Sequence, residues 1–125
     1  MRPELRSAFE SFRRVLAVVE GAKGSLAAAA PGGRSAGVPL ADALAAFEQG
    51  LHDASTAMSS WHQPEMEEAW SSCREGLEES RRGAERLRLG NAPEGYEQLY
   101  GQLADLMEPL DAFAQALERF HELGL

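Results

Sequence analysis

The sequence predicts an all-α protein, a four-helix bundle with up-down-up-down connections. Three observations point there. Apolar residues recur in alternating steps of four and three through four successive segments, the spacing of a bundle seam. Stretches rich in Pro and Gly separate the segments, and none shows the alternation of a half-buried strand. With 125 residues, 44% apolar and 26% charged, the chain fits one soluble globular domain over 1–125. Such a domain buries enough core to fold without a disulfide or structural metal.

The expected helices span about 3–29, 40–62, 64–89 and 93–122, with a loop over 31–39. In the first, Leu5, Phe9, Phe12, Leu16, Val19, Lys23 and Leu26 form one stripe. Gly21 and Gly24 cost about 1 kcal/mol each against Ala in a helix interior, so this helix is expected to fray before Pro31. The second stripe runs Leu40, Ala43 or Leu44, Phe47, Leu51, Ala54, Met58 and Trp61. The third comprises Met66, Trp70, Cys73, Leu77, Ser80, Ala84 and Leu87. Pro64 suits its first turn, Glu65, Glu67 and Glu68 suit the positive end of its dipole, and Arg81, Arg82, Arg86 and Arg88 suit the other end. Gly90-Asn91-Ala92-Pro93 reads as a stop and a start. Tyr96, Leu99, Leu103, Leu106, Leu110, Phe113, Leu117 and Phe120 then keep register through Pro109, which predicts one helix kinked near Glu108. A rival layout merges the second and third segments into one long helix kinked at Pro64. At the chain's end, Glu122-Leu123-Gly124-Leu125 stops where a helix cap would be completed, as an N-terminal domain of a longer protein would.

Charge narrows the function classes. Twenty acids against twelve bases give a net charge of −8. That balance opposes an electrostatic grip on nucleic acid or an anionic membrane, and favours a basic or uncharged partner surface. Segment 40–61 has three acids and no base and segment 93–125 seven acids and one Arg, net −3 and −6, and both are expected at diagonal corners beside arginine-bearing neighbours. Charged residues interrupt the best apolar run, Val15 to Val19, which argues against a signal peptide or membrane span and for a cytoplasmic protein. Eleven of the twelve bases are Arg, which with abundant Ala and Gly suggests a high-GC bacterial genome. Cys73 is the only cysteine, so an intrachain disulfide and a multi-thiolate zinc site are impossible; its seam position predicts a packed, inert thiol.

The most informative surface signal is a line of small residues, Ala69, Gly76, Gly83 and Gly90, with Ser80 and Ala84 beside it. Such a line lets a helix approach closely, and the visitor is either the chain's own fourth helix or a partner. Gly76, Ser80 and Gly83 are therefore candidate partner-binding residues, for a protein partner or a second copy in a homodimer. Trp61 and Trp70, at the turn between the second and third helices, are read first as core caps and in the alternative as contact anchors. An alternative reading gathers His62, Glu65, Glu118 and His121 at one pole as metal ligands. Glu118-x-x-His121 resembles half of a di-iron carboxylate site, but that family needs two such turns and two further inward glutamates. Glu48 and His52, one turn apart, could be read as an acid-base pair. No nucleophile turn or phosphate-binding loop accompanies them, so neither catalysis nor a cofactor is expected. A Trp between two helices resembles the WXG-type substrates of type VII secretion, yet Trp61-His62-Gln63 lacks the required glycine and the family is not assigned. The expectation is a non-catalytic interaction or scaffold module, with a metal- or small-ligand-binding bundle as the alternative.

Overall fold

The computed structural model describes residues 3–30, 32–33, 37–90 and 93–125. Among them are helices α1 (Pro3–Ala29), α2 (Leu40–Thr56), α3 (Glu67–Leu89), α4 (Tyr96–Met107) and α5 (Asp111–Glu122), and no strand. Pro31, Arg34, Ser35 and Ala36 of the expected loop, and Asn91 and Ala92 of the last connection, lie outside the described residues. Short 3-10 turns occupy Met58–Trp61, Pro64–Met66 and Glu108–Leu110. The last joins α4 to α5, so the fourth segment is a broken helix and the bundle has four helical arms. No described helix is long and apolar enough to cross a membrane.

Contacts between successive arms pair rising numbers with falling ones. Phe12 meets Trp61 and Ala22 meets Gly50 between α1 and the second arm. Trp70 Nε1–H donates to the Met58 carbonyl and Arg88 bonds Glu48 between the second and third arms. Ser80 reaches Leu106 while Arg119 reaches Glu68 between the third and fourth. Successive arms therefore lie antiparallel, and the ring contacts Phe12–Phe113 and Phe9–Phe120 set α1 beside α5.

The core is strongest at the end built from the start of α1, the 58–61 turn and α5. Phe12, Trp61, Phe113 and Phe120 are all fully buried. Trp61 and Phe120 each present an edge or face to Phe12, with centroids 4.8 and 5.0 Å away. Edge-to-face pairs of this kind add about 0.5–1.5 kcal/mol each beyond the area they bury. Along the remaining stripes the core continues through Val19, Leu26, Leu44, Leu51, Leu77 and Ala84, with Phe47 as a further buried ring.

Several boundaries differ from expectation for local reasons. The second arm leaves α geometry at Thr56, and His62 and Gln63 are extended, so the chain turns before Pro64 opens the next arm. The hydroxyl of Ser60 donates to the Ala57 carbonyl at 2.6 Å, the local competition that favours turns over helix. This corner excludes the merged second and third helix. α4 begins at Tyr96, not residue 93: Gly95 is extended, and the Glu94 N–H donates to Gln98 Oε1, which serves the new helix start. α1 does not fray at Gly21 and Gly24; Leu26 and Ala29 are buried beyond them and hold the last turns. The final cap is complete. Gly124 takes a φ of 86°, its N–H donates to the His121 carbonyl, and the Leu125 N–H donates to the Phe120 carbonyl at 2.9 Å, a full Schellman pattern.

Candidate functional site

The small-residue line on α3 is occupied by the chain's own fourth arm. Pro109 has no N–H, and the turn around it tightens to 3-10 spacing, which releases carbonyls from the α-helical ladder. The Leu106 carbonyl accepts from Ser80 Oγ–H at 2.5 Å, a fully buried bond. A Cβ at Gly76 would overlap the Pro109 carbonyl oxygen, and one at Gly83 would sit 3.3 Å from Leu106 Cβ. These glycines let the kinked arm approach, which offsets their helix cost. As partner-binding residues Gly76 and Ser80 are therefore corrected: both are buried inside the monomer. Gly83 keeps an outer edge, lining a shallow groove of about 410 Å³ with Glu79, Arg86, Gln102 and Asp105.

Trp61 is also corrected, because at 0% exposure it offers a partner nothing. Trp70 is half-buried and fully engaged. Its indole stacks on the His62 ring at 3.7 Å and 5°, and Arg74 lies 5.7 Å from its centroid. His62 in turn pairs with Glu67, whose carboxyl is held below the usual range, chiefly by that hydrogen bond. Sequence spacing pointed to Glu65 as the neighbour of His62; the turn at Pro64 brings Glu67 round instead.

The proposed metal pole does not assemble. His121 packs against the Phe9 ring at 6.0 Å, and Glu118 lies exposed along the groove between α3 and α5, where Arg119 pairs with Glu68 at 3.4 Å. Among the described residues no three His, Cys, Asp or Glu side chains are placed to share a metal ion. His62 is committed to Trp70 and Glu67, so His62, Glu65, Glu118 and His121 are not a ligand set. Glu48 is likewise taken from His52: its carboxylate receives Arg88 Nε–H at 2.6 Å and Nη2–H at 3.3 Å across α2 and α3. Cys73 is fully buried, and that burial pushes its thiol pKa up to about 12, which leaves no nucleophile at neutral pH.

Sequence reasoning missed the surface of α4. Tyr96, placed in the core stripe by periodicity, is 70% exposed, Tyr100 is 47% exposed, and Leu89 at the end of α3 is 69% exposed. α4 starts late and, among the described residues, packs chiefly on α3, which leaves its first turn largely exposed. The acidic segment is also less compensated than expected. Arg81 and Arg82 both bond Glu78 within α3, and Arg88 serves Glu48. Among the described residues, Glu97, Asp105, Glu108 and Asp111 form no ion pair.

No protein-family model, curated protein or solved structure matches the chain, so its function is argued from its own residues.

Proposed function

We propose that the protein is a non-catalytic helical-bundle module that binds another protein or serves as a scaffold. The observation that carries the reading is the exposed apolar set at one end, Leu89, Tyr96 and Tyr100, beside Glu97, which among the described residues forms no ion pair. Large apolar side chains left exposed together mark interaction surfaces, and tyrosine is enriched among residues that dominate binding energy. Negative features agree: the one thiol is buried, and of the acid-base candidates Glu48 is engaged by Arg88.

The test is capture of the tagged protein from native lysate, with and without chelator, followed by the mass of the complex. A stoichiometric complex or a defined oligomer that survives chelator is expected. A monomer that retains nothing under either condition rejects the reading.

A further inference from the structure

Building on the interaction-module reading, we infer that the outward face of α4 is the docking site for a basic, arginine-rich segment of a partner protein. Glu97 and Ala104 lie along this face at helical spacing, with Tyr96 and Tyr100 one turn apart beside Glu97, and Glu108 and Asp111 follow in the turn and at the start of α5; all are exposed. Segment 93–118 contains six acids and no base, so this stretch carries a net negative charge toward a partner. Of the α3 arginines, Arg81 and Arg82 serve Glu78 and Arg88 serves Glu48, while Arg86 lines the groove beside Asp105; among the described residues Glu97, Glu108 and Asp111 form no ion pair.

The chemistry selects arginine in particular. A guanidinium stacks on a tyrosine face while its fork reaches a carboxylate, and it is less strongly hydrated than an ammonium. Gly101 and Ala104 leave the middle of the face low, and a Cβ at Gly101 would meet open space, so a partner backbone can lie close. A second copy of this chain fits less well, because each copy carries a net charge of −8.

The experiment is fluorescence anisotropy of the whole protein with a labelled peptide of alternating arginine and alanine, its lysine counterpart, and an acidic control. Salt is varied, and sedimentation of the protein is run alongside. The arginine peptide should bind most tightly and weaken as salt rises. Tyr96→Ala with Tyr100→Ala should weaken it about tenfold, two exposed cation-π contacts' worth, whereas the Phe pair should hold it. Glu97→Gln with Glu108→Gln should weaken it as well, while Asp42→Asn with Asp53→Asn on α2 should not. All of these positions are exposed, and an unchanged thermal midpoint verifies the fold. The inference is overturned if the arginine peptide does not bind, if the tyrosine pair is without effect, if the α2 pair weakens binding equally, or if sedimentation shows the face occupied by a second copy. A lysate complex that persists after loss of both tyrosines would reject this face and keep the interaction module.

Discussion

The two ends of the bundle are built on different principles. At one, Phe12, Trp61, Phe113 and Phe120 interlock with no exposed surface; at the other, Tyr96, Leu89 and Val38 stand in solvent beyond a core of mostly aliphatic side chains with Phe47 among them. Stability is concentrated where large rings meet, and the loosely covered end leaves apolar side chains in solvent. The contrast separates an end that holds the fold from one that leaves large side chains in solvent.

The sharpest way to break this contrast is to truncate one ring at each end. Phe12→Ala should cost about 3–5 kcal/mol in urea denaturation, whereas Tyr96→Ala should change stability by no more than about 0.5 kcal/mol. Equal losses would mean that the two ends do not differ. The next largest effect separates the glycines. Gly76→Ala should destabilise by about 1–3 kcal/mol, since its new methyl meets the Pro109 carbonyl. Gly21→Ala, with open space around it, should stabilise by about 0.5–1 kcal/mol.

Cys73 extends the comparison to alkaline pH. Its thiol pKa is raised in the folded state, from an ordinary value of 9.0 to about 12, so the folded chain binds the proton more tightly. Its contribution is complete below the unfolded pKa and is lost as pH rises toward the folded one. By about pH 10 the loss should be roughly 1.4 kcal/mol, absent in Cys73→Ala. Folded protein should also resist thiol reagents until it opens. Ser80→Ala should cost about 1 kcal/mol by removing the donor to Leu106. The smallest effect is acidic. Glu78 is held below the ordinary carboxylate range first by its Arg81 hydrogen bond, so its contribution exists above the unfolded pKa and is lost as pH falls. Glu78 is partly exposed, so Glu78→Gln should flatten the acid limb of a pH-stability curve only slightly.

Much of the fold was legible because burial in a bundle is periodic. The stripes from Phe9 to Leu26, from Leu44 to Trp61 and from Cys73 to Ala84 are buried or half-buried. Tyr96 escaped because periodicity identifies a face of a helix but not how far its neighbours extend along it. The glycine line of α3 was legible as a place of close approach. Its occupant was less so, because what fits there is a carbonyl set free by Pro109, a backbone consequence of another arm. The histidine pole failed for a related reason: proximity at one end of a bundle does not aim side chains at a common point, and stacking took His62 while packing took His121.

The two indoles also give the protein two separate optical signatures. Trp61 is enclosed by benzene rings, and among the described residues its Nε1 has no hydrogen-bond partner, so its emission should be blue-shifted and its near-ultraviolet dichroism strong. Trp70 lies flat against an imidazole with its N–H bonded to Met58, a geometry in which the imidazole can quench emission. A single spectrum therefore reads the ring-packed interior and the corner at Pro64 through different chromophores, so loosening of that corner can be seen before the interior melts.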